Sequence, residues 1–282
     1  MEIIYDKNCM IGEGPVWCEA KHRLYFVNPV NDCEICSVAP DGTKREAIRL
    51  DFGVAAINFT SRGRLLLSSL SGVYLFDEEI GKLELFADIK GCNDAKVGPD
   101  GCLYVGTQSS KRLGISKKID GRLYRIDKHG KAKILLDGLI LSNGLDWSAD
   151  EKFFYHTDSD TNYIKEYSFD KSTGEVSYTK RQIYVTGVDG FTVSADGYIF
   201  AACWGQGHIS KIDTRTMQIT DYIKTPVPIP TSCGFFGENM EFLAITTANY
   251  DDTARKNPTS GYTFKADVGS HGKKPYIFEE KV

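Results

Sequence analysis

The run LDWSADEKFFYHTDS at residues 145–159, followed by YIKEYSFDKSTGEVSY at 163–178, decides the fold class. Leu145 and Trp147 alternate with Asp146 and Ser148, a turn-forming S-A-D-E-K follows, and residues 153–157 are aromatic or β-branched in the main. Residues 163–169 alternate again and run into a D-K-S-T-G turn before a further run. Period-two alternation between turn signals reads as short β-strands, about four in this unit.

The unit recurs. AKVGPDGCLYVGT (95–107) precedes GRLYRIDKHGKAKILLDG (121–138), and FTVSADGYIFAAC (191–203) precedes GHISKIDTRTMQITDYI (207–223). Looser copies begin with GPVWCEAKHRLYFVN (14–28), INFTSRGRLLLSS (57–69) and the degenerate SCGFFGENMEFLAITTAN (232–249). Placing the starts at Gly14, Ala56, Asp94, Asn143, Asp189 and Ser232 gives separations of 42, 38, 49, 46 and 43 residues. Four-stranded units of about 40–50 residues are the signature of a propeller. The expected fold is all-β: a six-bladed β-propeller with four-stranded antiparallel blades around a central channel, a single domain over residues 1–282. EIIYD at the N-terminus and PYIFEE near the C-terminus both read as strands, and they are expected to pair in the last blade and tie the ends together.

Composition narrows the function. The chain has 282 residues, 41% apolar and 26% charged, as soluble globular proteins do. A net charge of −4 supplies no basic field for nucleic acid. No apolar run is long enough to span a bilayer. MEIIYDKNCM lacks the apolar segment of a secretory signal, so a cytoplasmic location is expected. Of eight cysteines, Cys33 and Cys36 form C-E-I-C, but a zinc site needs a second closely spaced pair. Reduced, mostly buried thiols are the expectation.

In a propeller the first strand of every blade lines the channel, so residues just before each repeat start converge on one mouth. There stand Glu13 in GEGP, Asn93 and Asp94 in CNDAKV, Asn143 in LSNGLDW and Asp189 in GVDGFTV. Singly, N-D, N-G and D-G are ordinary turn dipeptides. Asp100, Asp150 and Asp196, in the turns after the first strands, read that way. The others share a different phase. Carboxylates with amide oxygens are hard donors that suit Ca²⁺, Mg²⁺ or Mn²⁺, with Zn²⁺ a further option although His and Cys are absent from the set.

The stretches IGEGPVW, CNDAKVGPDGCLYVGT, GRLYRID, LSNGLDWSADEKFFYHTDS, VDGFTVSADGYIFAACWGQGHISKID and PTSCGFFG resemble the regucalcin, gluconolactonase and luciferin-regenerating-enzyme family over nearly the whole chain. The resemblance implies a six-bladed propeller with one divalent metal ion in the channel, held by Glu13, Asn143 and Asp189. It implies that Asn93 contacts substrate or a metal-bound water, with Asp94 in support; Gln108 is a further expected substrate contact. The chain departs from the family at Gly91, where Arg is frequent, and at Gln108, where G-T-M is frequent. Both departures bear on which substrate is taken. The expected activity is hydrolysis of a sugar-type aldonolactone, a small-molecule substrate, by Lewis-acid polarisation of the carbonyl and attack of water. Asp189 is the candidate general base, with Glu13 or Asp94 as alternatives. G-x-S-x-G is absent, which weakens a serine mechanism. A phosphotriesterase or arylesterase of the diisopropylfluorophosphatase kind, and a non-catalytic calcium-binding propeller, are the competing readings. The sequence leaves the oligomeric state open.

Remaining features read as structural. Residues 109–120 (SSKRLGISKKID), carrying Lys111, Arg112, Lys117 and Lys118, read as a lid over the channel or, by default, as a solvated loop. His156 is expected to be a hydrogen-bonded strand residue. Asp158 and Ser159 are expected to shape the turn that follows. Trp17, Trp147 and Trp204 are expected to pack between blades, and Gly144 to permit a backbone bend.

Overall fold

A computed structural model describes residues 1–281. It shows six four-stranded antiparallel sheets and almost no helix. The first strands of the six sheets are Glu13–Cys18, Val54–Phe59, Cys92–Val97, Ser142–Trp147, Val188–Val193 and Pro230–Phe236. Each packs against the first strand of the next blade, and the last packs against the first, closing a ring. This is a six-bladed β-propeller. The expected repeat starts fall within two residues of these strand starts.

Blade four shows why the repeat folds as it does. Its first strand is buried at every position. Its fourth, Glu175–Tyr184, is mostly exposed and carries alternating polar residues. The turn between the first two strands is built by Ser148, whose hydroxyl accepts from the Phe153 N–H at 2.9 Å and donates to Asp150 at 2.7 Å. Trp147, fully buried, packs edge-on against Tyr104 of blade three at 4.8 Å between ring centroids. Trp17 likewise lies in the cluster joining blades one and six, against Phe236. These two tryptophans pack between blades as expected. Asp158 turns its carboxylate back onto the Ile140 and Leu141 N–H groups at 2.8 and 3.0 Å, tying down the segment that leads into the blade's first strand. The turn that follows is the short 3₁₀ segment Ser159–Thr161.

The ring closes differently from expectation. Glu2–Tyr5 does join the sixth blade, but its partner is Thr263–Ala266, with Glu2 opposite Lys265 and Ile3 opposite Phe264. PYIFEE takes no part in that pairing. Residues 271–280 instead cross the face of the propeller opposite the site described below. Gly272 bridges to Ser194, and Phe278 bridges to Thr60 and is buried among blade two and three residues. Lys273 enters the channel. Its ammonium donates to Asp146 at 3.0 Å and to the Trp147 carbonyl. Asp146 also accepts from Lys96 at 3.1 Å, from Thr192 at 3.1 Å and from the Val193 N–H at 2.8 Å. Although burial pushes its carboxyl upward, the Lys273 and Lys96 ammonium groups and these N–H donors hold it well below the usual range. A buried charge is tolerable only when paired and hydrogen-bonded in this way.

Candidate metal and substrate site

All six first strands share one local device. Each shows a register shift against its neighbour near its start: between Glu13 and Val16, Val54 and Ala56, Cys92 and Ala95, Asn143 and Leu145, Val188 and Phe191, and Pro230 and Ser232. A β-bulge bends the strand and re-aims a side chain. In blades one, three, four and five the shifted positions carry Glu13, Asn93 and Asp94, Asn143, and Asp189. Gly144 sits in one such shift. Its φ is not in the left-handed region, so the expected bend is not what requires glycine here. A Cβ would lie 2.3 Å from the Phe191 ring and 2.6 Å from the Asp189 carbonyl oxygen, so close packing demands it.

Glu13, Asn93, Asp94, Gln108, Asn143 and Asp189 all line one cavity of about 770 Å³ at the mouth of the channel. Asn143 and Asp189 are buried. Glu13 and Asp94 are half-buried. Asn93 is fixed on both sides: its amide nitrogen donates to the Ser142 carbonyl at 3.1 Å, and its oxygen accepts from Gln108 at 3.3 Å. The Asn143 amide nitrogen donates to Asp189, while its oxygen accepts from the Gly144 N–H at 3.2 Å. Asp94 accepts from the Ala95 N–H at 2.8 Å.

The electrostatics are those of anions placed together. Burial first, then the charges of Asp189 and Asp94, push the Glu13 carboxyl well above its ordinary value. Burial and Asp94 push Asp189 up to about 8, against the opposing Asn143 hydrogen bond and Arg112. Burial raises Asp94 too, and Lys96 opposes it. Three carboxylates that repel one another fit a cation between them, and an all-oxygen donor set fits a hard one. Among the described residues no three His, Cys, Asp or Glu side chains come close enough to hold an ion alone. Beside Glu13 and Asp189, the buried Asn143 amide is a further oxygen donor facing the same cavity. A half-turn of that amide about χ2 would turn its oxygen toward Asp189, at the expense of the bonds to Asp189 and to the Gly144 N–H.

Two expectations are refined. Trp204 packs between blades five and six as expected, against Ile229, Ala248 and Ala254, but unlike Trp17 and Trp147 it is only partly buried. It lines the cavity wall and meets Tyr250 edge-on at 5.7 Å. Tyr250 carried no motif, and its place in the wall follows only from the loop after blade six's second strand. Of the basic residues in 109–120, Arg112 alone lines the cavity, 3.7 Å from Asp160. The loop is tied at its base, where Ser110 donates through N–H and hydroxyl to Asp120 at 2.6 and 2.7 Å. His156 is, as expected, a strand residue, buried and 2.7 Å from the Ser142 hydroxyl.

A six-bladed propeller with acidic and amide side chains gathered at one channel mouth defines the class. The chain belongs to the SMP-30/gluconolactonase/LRE-like family, whose model matches residues 11–249. It is 30% identical to the putative sugar lactone lactonase YvrE of Bacillus subtilis, covering 97% of this chain and 96% of that one. It is 28% identical to regucalcin of Oryctolagus cuniculus, covering 99% and 98%. The luciferin-regenerating enzyme superposes with a TM-score of 0.87 at 26% identity, covering 96% of each chain.

Proposed function

We propose that this protein is a divalent-cation-dependent lactonase that opens a hydroxylated lactone ring of the sugar-lactone type. The observation that carries the reading is the convergence of Glu13, Asp94, Asp189, Asn93 and Asn143 on the floor of one cavity. Glu13, Asn143 and Asp189 would hold the ion, which when bound supplies electrophilic polarisation of the ring carbonyl and counter-charge for the oxyanion. Asn93, locked by Ser142 and Gln108, orients a ring hydroxyl or the leaving oxygen. Asp189 takes a proton from the attacking water, and Glu13 and Asp94 are the other bases on the same floor. Water oxygen bonds to the carbonyl carbon, the ring C–O bond breaks, and the proton passes to the departing ring oxygen, giving a hydroxy acid.

The name of the Bacillus subtilis relative supports this substrate class. The test is lactone hydrolysis by chelated protein to which Ca²⁺, Mg²⁺, Mn²⁺ or Zn²⁺ is returned. Turnover should vanish on chelation, return with an ion, and stay absent in Asp189→Ala and Glu13→Ala proteins that keep a folded β-sheet spectrum. Full turnover after chelation contradicts the proposal.

A further inference from the structure

The polar groups of this cavity are not spread evenly. They occupy its floor, and one flank where Arg112 faces Asp160. The rest of the wall is mostly apolar, with Ser69, Ser71 and Ser159 as its small polar side chains. On one side stand Phe52 and Leu70, beside blade two. Across the mouth stand Trp204 and Tyr250, after the second strands of blades five and six. Leu70 is 53% exposed and Tyr250 49% exposed, although each is a large side chain at the rim of a deep cavity. The two wall serines on that side satisfy each other: the Ser69 and Ser71 hydroxyls are 2.9 Å apart, and Ser71 also meets the Tyr74 hydroxyl at 3.0 Å.

A bare sugar lactone fits this wall poorly. Every ring hydroxyl taken from water needs a partner, and the largest side chains of the wall, Phe52, Leu70, Trp204 and Tyr250, offer between them only the Trp204 indole N–H and the Tyr250 hydroxyl. The size mismatch agrees. About 770 Å³ lies in the range of cavities that enclose a drug-sized ligand, and a monosaccharide lactone is much smaller. The arrangement suits an amphiphilic molecule. Its ester ring and hydroxyls sit on the floor among Asn93, Asp94 and Gln108, and its apolar part lies across Trp204 and Tyr250.

We infer that the substrate is a lactone whose ring bears an apolar arm, alkyl or aryl, lodged against the Trp204–Tyr250 wall. The inference rests on the lactonase reading for the ring and on the walls alone for the arm. Each methylene of the arm taken from water should raise kcat/KM about four-fold until the mouth is filled.

The experiment uses the full chain with a divalent ion and a series of ring-constant lactones whose unbranched alkyl arm grows from methyl to nonyl, with gluconolactone beside them. In parallel, alkyl lactams of the same arms, which resist hydrolysis, are titrated by calorimetry, which reads binding equally in the unaltered protein and in the variants. Trp204→Ala and Tyr250→Ala are measured alongside; Tyr250 lies at the exposed rim, and Trp204 also packs on Ile229 and Ala248, so urea unfolding is recorded for both variants. The expected result is a rise in kcat/KM and in lactam affinity with arm length, flattened in both variants. Turnover that ignores arm length, or gluconolactone preferred over every alkyl lactone with Trp204→Ala unchanged, overturns the apolar arm and leaves the lactonase reading standing. Lactams that bind by arm length while no lactone is hydrolysed uphold the walls and overturn the lactonase reading instead.

Discussion

At the scale of single residues, the site is defined by side chains held by more than one neighbour. Gln108 touches Asn93 and lies 15 positions along the chain from it. Removing that bond in Gln108→Ala should lower kcat/KM about five- to ten-fold, the worth of one hydrogen bond in positioning a contact, and leave unfolding by urea unchanged. His156 makes the opposite kind of prediction. Burial, with Lys165 on the next strand, pushes its pKa down to about 3. It is therefore neutral in the folded protein and takes up a proton on unfolding below its ordinary value. Stability from this group is fully present above about pH 6.5 and falls by up to about 1.4 kcal/mol per pH unit as pH drops toward 3. Urea unfolding at pH 7 and pH 5 should differ by about 2 kcal/mol from this source, and His156→Gln should remove that difference. An unchanged pH dependence in the variant would show that other groups carry it.

At the scale of elements, the bulge at the start of each first strand is the unit that turns a repeat into a site. Its glycines are set by the blade beside them. Gly144→Ala would drive a methyl into Phe191 and the Asp189 carbonyl. Overpacking of this kind costs about 1–3 kcal/mol, and here it also displaces Asp189, so ion affinity should fall along with stability. Stability lost with ion affinity intact would separate the two. The phase of these strands was legible in the sequence because the alternation and the D-G turns repeat in register. Glu13, Asn143 and Asp189 could be picked out because they stand at one phase of that repeat. Trp204 was not legible as a wall residue, since a tryptophan at a strand end has the same local signature whether it faces a neighbouring blade or a cavity. The hydrogen bond from Gln108 to Asn93 was equally hidden: it joins the end of one strand to the start of its partner, and no motif marks it.

At the scale of the molecule, the last repeat is where sequence reading failed. TFKA at 263–266 is a four-residue strand beyond a ragged stretch, with too few alternations to stand out. PYIFEE alternates better, but Phe278 is buried among blades two and three and Tyr276 packs against the same cluster. The tail also closes the channel from the side opposite the site, through Lys273 on Asp146. Lys273→Met should cost about 2–3 kcal/mol, less than the loss of a sole buried partner, because Lys96 still faces Asp146. Denaturant unfolding measures this directly, and wild-type stability in that variant would mean that the tail lies on the propeller without bracing it.

The central claim is that Glu13, Asn143 and Asp189 hold one divalent ion on which catalysis depends. Calorimetric titration of the chelated protein with Ca²⁺, Mg²⁺, Mn²⁺ and Zn²⁺ tests it most directly, with Glu13→Gln and Asp189→Asn titrated in the same way. The account predicts one ion bound per chain for at least one of these metals, with affinity reduced by about a hundred-fold or more in each variant, since each removes a charged oxygen donor from the set. Undiminished binding in both variants, or no ion bound by the unaltered protein, would contradict it.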